Sequence, residues 1–279
     1  MKRLFTSPNK IGLSIMIALI CVIGAAVIPD RTTAENAYAN PADDAIQQAG
    51  GIENGDTAFS VESSEDSATE IKAEEAKLPN ESIREIGLLS IGIMRYVGEN
   101  WYVCGKKLDK AEATKHSTAI AYHVIKNMRD LGLNVSPWGI IGTMANESRF
   151  DHCALGLHPR KWGQRKGLLP KSKMTVSLRL ADVRGFVSHP MATSRFSRSG
   201  FDLGLCQVLS KFYPGESDAM LTVDGGVRIC VIEMQRRATV YGTDTPWLYW
   251  RGSKTDWYQR KIRRWARRMG ATSKDMEEI

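Results

Sequence analysis

Glu147 is the residue of this sequence whose position most suggests chemistry. It closes a strongly apolar stretch, Trp138-Gly139-Ile140-Ile141-Gly142-Thr143-Met144-Ala145, and falls in the last turn of the helix that this stretch predicts. Burial and the negative end of the helix dipole both disfavour its charged form. A carboxyl group that keeps its proton near neutral pH is what protonation of a glycosidic oxygen requires. The other reading of a helix-end Glu is a solvated side chain paired with Arg149. Position alone does not separate the two. Asp151, Asp182 and Asp202 lie in or beside the segment that follows, and a hydrolase would need a second carboxylate from Asp182 or Asp202.

The elements that must position Glu147 read as helices. Residues 82–97 and 111–131 carry helical periodicity; in the second, Ile120, Val124 and Met128 recur on one face and Gly132 is the expected stop. Ser136-Pro137 reads as an N-cap followed by proline at the first helical position, and that helix is expected to end near Ser148 and Arg149. Residues 224–241 and 255–269 are further helices. Between these groups, residues 153–203 read as a long irregular insert, with a short strand suggested by the alternation from Thr175 to Leu180. The expected fold class is mainly α, with a small β or loop subdomain. All seven tryptophans follow residue 100, so the packed domain must lie there.

Charge divides the chain into three parts. Its 279 residues are 43% hydrophobic and 25% charged, which excludes a collagen-like, wholly disordered or polytopic membrane chain. The net charge of +7 averages +3 over residues 1–29, −9 over 30–80 and +13 over 81–279. Ile11 to Ile28 is free of charge, with Lys2, Arg3 and Lys10 before it. Such a run spans about 27 Å as a helix and is oriented with its N-terminus in the cytoplasm. It is a signal anchor, or a signal peptide cleaved near Ala37-Tyr38-Ala39. The expected location is the inner membrane with the domain in the periplasm, or secretion after cleavage. Residues 30–80 read as an acidic flexible linker with a reach of roughly 40 Å. Cys104, Cys153, Cys206 and Cys230 allow two disulfides in three connectivities, and no CxxC or His spacing suggests a metal. The basic run from Arg260 to Arg268, with Trp265 inside it, has the composition of a nucleic-acid contact. An export signal leaves such a domain little nucleic acid to meet; the run reads instead as a solvated face, or as a contact with anionic wall or membrane phosphates.

Three segments occur in order: Glu147-Ser148-Arg149-Phe150-Asp151, Gly204-Leu205-Cys206-Gln207-Val208 and Tyr249-Trp250-Arg251-Gly252. Here, over roughly residues 130–265, the chain resembles the soluble lytic transglycosylase (SLT) family, relatives of goose-type lysozyme. That family shows a Glu-Ser pair ending a helix, a Gly-Leu-x-Gln motif and a Tyr-Asn-x-Gly motif in the same order. The resemblance implies a lysozyme-like α+β domain over residues 81–279, with 153–203 as an insert. It also implies a peptidoglycan lytic transglycosylase that cleaves the MurNAc–GlcNAc β-1,4 bond, forms 1,6-anhydromuramic acid and uses no cofactor. Glu147 would be the single acid and base, and Ser148 would hydrogen-bond near the sugar at the scissile bond. Gln207 would donate to the glycan, and Tyr249 would lie close to Glu147 and help set its protonation. Tyr258 stands where the family often has a tyrosine in its closing helix and receives no catalytic role. Because the first two motifs adjoin across the cleft in that fold, a Cys153–Cys206 disulfide is implied.

Two departures stand out. Trp250 replaces the usual Asn, and its indole would either stack on a sugar or pack in the core. The insert is longer than the family's usual connection, and its ten bases, Arg160 to Arg198, either extend the cleft toward peptide stems or form a solvated surface. The competing expectations are a muramidase with a second carboxylate, and a weakly active glycan-binding module of a trans-envelope secretion or conjugation apparatus.

Overall fold

The computed structural model describes residues 79–279, apart from 174, 175 and 253. The apolar segment 11–28 and nearly all of the expected linker lie outside the described residues. Among the described residues, no helix is long and apolar enough to cross a membrane. This part of the chain is mainly helical, as its periodicity predicts.

Helix α1, Asn80–Val97, and helix α2, Lys110–Asp130, are joined by an antiparallel hairpin of β1, Tyr102–Val103, and β2, Lys106–Lys107. A capping box starts α2: the Asp109 carboxylate accepts from the Glu112 N–H at 2.8 Å, and Glu112 accepts from the Asp109 N–H at 3.1 Å. The helix stops where expected, because Gly132 takes φ 62° and lets the Leu133 N–H return to the Met128 carbonyl. Helix α3, Pro137–Glu147, has proline in its first turn. Ser136 makes no side-chain cap; it contributes only its carbonyl, which accepts from the Gly139 N–H at 3.0 Å.

The insert differs from expectation. Residues 153–203 form three short helices, α4 at Leu157–Arg165, α5 at Leu180–Val187 and α6 at Pro190–Arg195. The reason is a local aromatic core: Trp162, Phe186, Phe196 and Phe201 meet with ring centroids 5.1–6.4 Å apart, most of them edge to face. No strand forms over Val176–Arg179, and Leu180 opens α5. The alternation there buries Leu178 and leaves Ser177 half-buried and bonded to Asp151.

A second small hairpin follows, β3 at Asp202–Leu203 and β4 at Val208–Leu209, with Leu155 bridged to Leu203. The chain then runs through α7, Ser217–Met220, and α8, Val223–Tyr241, to a 3-10 turn at Pro246–Tyr249. It closes with α9, Asp256–Met269, and α10, Ser273–Glu277.

Helix α3 is the centre of the packing. Every residue from Trp138 to Ala145 is buried, as a helix apolar all round must be. Two glycines set how closely its neighbours approach. A Cβ on Gly139 would sit 2.2 Å from the Trp247 ring, and one on Gly142 would sit 2.8 Å from Ile262. Helix α9 therefore lies hard against α3, burying Tyr258, Ile262, Ala266 and Met269 while its arginines face out.

The disulfides are Cys104–Cys153 and Cys206–Cys230, which corrects the Cys153–Cys206 pairing implied by the resemblance. Asp151 draws Cys153 to the first hairpin, its carboxylate accepting from the N–H groups of both Cys104 and Cys153 at 3.1 and 3.0 Å. Cys206 instead meets α8, which carries Cys230.

Candidate active site

Glu147 ends α3 at the edge of a cleft of about 610 Å³. Its side chain is only 6% exposed, so the expectation of burial holds. Three donors converge on the carboxylate. The Tyr258 hydroxyl donates at 2.7 Å, the Asn146 amide at 3.0 Å, and the Arg251 guanidinium reaches both oxygens at 3.2 and 3.4 Å. The pairing with Arg149 does not form; Arg251, whose side chain is 56% exposed, takes that role.

The tyrosine at Glu147 is thus Tyr258, and no hydrogen bond joins Tyr249 to the acid. The cause is the close crossing of α9 on α3. Gly142 meets Ile262, so the residue one turn before Ile262 reaches the end of α3, where Glu147 stands. Burial first, and then the Glu147 charge, raise the Tyr258 phenol well above its ordinary pKa, so it stays a donor. Tyr249 stacks on Tyr241 with centroids 4.0 Å apart.

The chain leaves α3 through two consecutive left-handed residues, Arg149 at φ 57° and Phe150 at φ 63°. Cys104 and Gln207 are the other non-glycine residues with positive φ among those described; Arg149 and Gln207 line the cleft, and Cys104 is bonded to Cys153, which lines it too. Asp151, at the end of the first motif, and Ser177, His116 and His152 outside the motifs hold this backbone in place. The buried Asp151 accepts from the Cys104 N–H at the hairpin turn, from the Cys153 N–H two residues on, and from the Ser177 hydroxyl. His116 Nε2 contacts the Phe150 carbonyl at 3.3 Å and His152 packs 5.3 Å from the His116 ring. Burial lowers the pKa of His116 to about 4; burial and then the charge of His116 lower that of His152 to about 3, so both are neutral.

Ser148 and Gln207 both line the cleft with Glu147, although they are 59 positions apart in sequence. The Ser148 hydroxyl donates back to the Met144 carbonyl at 3.2 Å. Gln207 Nε2 donates to the carbonyls of Ala154 and Gly204, both at 3.0 Å. Those bonds occupy the amide nitrogen, so Gln207 is not placed as the donor that the resemblance implies and has its carbonyl oxygen left as an acceptor. Tyr102, Leu157 and Val176, each 45–56% exposed, add apolar surface to the same walls.

A buried ion-pair network places the third motif. Glu233 of α8 is bound by Arg236, Arg237 and Tyr213. Although burial pushes it up, these partners hold its carboxyl below the ordinary value. Arg237 continues to the Tyr249 carbonyl and lies over the Trp250 ring at 5.0 Å. The Trp250 indole is buried and donates to the Cys206 carbonyl at 3.2 Å, so its role is packing between the second and third motifs. This seat aims Arg251 at Glu147. Asp202 is charge-coupled to both: burial raises it to about 6, with Arg251 opposing and Glu147 reinforcing the rise. Asp182 is held by Arg179 through two 2.8 Å bonds.

Of the insert's bases, Arg160 lines the cleft, yet its guanidinium is spent on Ser172 and the carbonyls of Lys173 and Val176. Cys104, His152 and Cys153 are the one group of potential metal ligands among the described residues, and both sulfurs belong to the disulfide. No family model, curated protein or solved structure matches the chain.

Proposed function

We propose that this chain is a lysozyme-like lytic transglycosylase that cuts peptidoglycan glycan between N-acetylmuramic acid and N-acetylglucosamine. The observation that carries the reading is a nearly buried carboxylate, Glu147, held by three donors at a cleft that Ser148 and Gln207 also line. A cleft of that size suits sugar rings, with Tyr102, Leu157 and Val176 for their apolar faces.

The arriving glycan displaces the exposed arm of Arg251, and Glu147, having taken up a proton from solvent, faces the glycosidic oxygen. Glu147 gives its proton to that oxygen as the bond to muramoyl C1 breaks. Tyr258 and Asn146 then stabilise the new carboxylate. The muramoyl 6-hydroxyl oxygen closes on C1, its proton passes to Glu147, and the acid is regenerated without water. Ser148 and the Gln207 carbonyl orient the sugars. Such an activity belongs in the cell envelope, where residues 11–28 would anchor the domain and a trans-envelope assembly would be a natural setting.

Asp202 favours a second reading, a muramidase in which it is the second carboxylate, because its charge is coupled to Glu147 and Arg251. Mass spectrometry of glycan digested by the full chain separates the two. Products ending in 1,6-anhydromuramic acid are expected. Reducing muramic acid ends, lost in Asp202→Asn, would establish the hydrolase instead, and unchanged digestion by Glu147→Gln would defeat both.

A further inference from the structure

A second cavity, of about 360 Å³, opens beside the cleft and is lined by Tyr96, Ala145, Asn146, Arg149, Trp265 and Arg268. Asn146 and Arg149 line both spaces, so the cavity adjoins the cleft beside Glu147. Its wall is aromatic: Tyr96 and Trp265 meet edge to face with centroids 5.2 Å apart. The Tyr96 hydroxyl is spent on the Ala145 carbonyl at 3.0 Å, which fixes the ring between α1 and α3.

Two cations stand over this wall. The Arg268 guanidinium lies 5.9 Å from the Tyr96 ring centroid and 6.0 Å from that of Trp265. Arg149 hydrogen-bonds the Tyr96 hydroxyl, which places its guanidinium at the cavity, and the charges of both arginines act on that hydroxyl. Among the described residues, neither Arg149 nor Arg268 forms a salt bridge with a carboxylate. Most surface arginines can be matched by neighbouring acids or left to water. Here two are gathered on an apolar floor, where a bound anion is partly desolvated and its charge-assisted bonds gain strength.

We propose that this cavity is a subsite for a carboxylate of the peptide stem carried by the muramoyl sugar, with Arg149 and Arg268 as its donors. The proposal rests on the peptidoglycan reading above. A carboxylate matches the planar fork of a guanidinium, and the rings accept the methyl and methylene groups of short amino acids. The stem branches from the same sugar whose bond Glu147 would cut, so the subsite would select glycan that still bears its peptides. Phosphate from a wall polymer or a lipid headgroup presents similar chemistry, and the test distinguishes it.

The test is a ligand-detected NMR titration of the full chain in detergent with a free stem peptide, L-alanyl-γ-D-glutamyl in its N-terminal part. Three arms run beside it: the same peptide with its carboxylates amidated, the R268Q and R149Q variants, and competition by inorganic phosphate. Binding of the acid form is expected, weakened about tenfold or more by amidation and by either variant, as for the loss of a hydrogen bond to a charged group. Phosphate at equal concentration should not displace it. Absence of binding, equal binding of the amidated peptide, or full displacement by phosphate would overturn the proposal. The amidated peptide needs no variant to fold. Because the peptide has no glycosidic bond, its binding is read independently of cleavage. A chain that binds the peptide yet cuts no glycan keeps the subsite and loses the transglycosylase reading.

Discussion

Replacing Tyr258 by Phe tests the centre of the proposed chemistry with one atom. The ring is fully buried and stays in place in the variant; only the 2.7 Å bond to Glu147 Oε1 is removed. That bond matters most once Glu147 has given up its proton and carries full charge. A hydrogen bond to a charged group contributes about 1.5–3 kcal/mol, so kcat should fall about 10- to 150-fold. KM should change little, because the hydroxyl does not face the sugar but the acid. The assay is release of soluble fragments from labelled peptidoglycan, with Glu147→Gln as the floor. Combining Y258F with E147Q should cost nothing further, since the phenol would act only through the acid. A Y258F chain that folds normally and cuts within twofold of wild type, above an inactive E147Q, would refute the role given to Tyr258.

Further predictions concern what holds the site. The unfolded chain protonates histidine near pH 6.5, whereas His116 and His152 in the folded state resist to about 4 and 3. Their stability is therefore present above pH 6.5 and lost as pH falls, by about 2–3 kcal/mol each at pH 4.5; urea midpoints across pH 4.5–7 read this. Asp202 has the opposite sign, its folded value near 6 lying above the ordinary 3.8. Its contribution is present below pH 4 and lost as pH rises through 6, so Asp202→Asn should stabilise the fold by up to about 3 kcal/mol at pH 8 and very little at pH 4, measured by the same method. Glu233→Gln strips the shared partner from Arg236 and Arg237, and should cost about 3–5 kcal/mol in thermal unfolding while loosening Arg251. Gly142→Val forces α9 away from α3 and should reduce both the melting temperature and cleavage, because Tyr258 is carried off with the helix.

Much of the scaffold is readable locally. The long helices α1, α2, α8 and α9 follow from apolar periodicity, and α3 from an unbroken apolar run behind Pro137. Each depends on neighbours a turn apart. The insert fails the same method because its helices are short and are stabilised by Trp162, Phe186, Phe196 and Phe201, which span 40 residues. Propensity in a nine-residue stretch is too weak to compete with such contacts.

The site divides along the same line. From sequence alone, Glu147 is an acid at the end of a buried helix, and Ser148 and Gln207 are its candidate companions; the structure lines one cleft with all three. The hydrophobic run marks Glu147, whereas Ser148 and Gln207 are marked only by the resemblance of three ordered motifs to those of a known family. Which tyrosine meets the acid, which cysteines pair and which arginine covers the carboxylate were decided by tertiary structure. The physical reason is that these choices turn on helix crossings and on buried charge. Two glycines on α3 set the distance to Trp247 and to α9, and the Glu233 network sets the direction of Arg251. Neither a close approach nor a shared buried counter-charge leaves a periodic trace in the chain, so a pattern of residues could mark Glu147 but could not say what surrounds it.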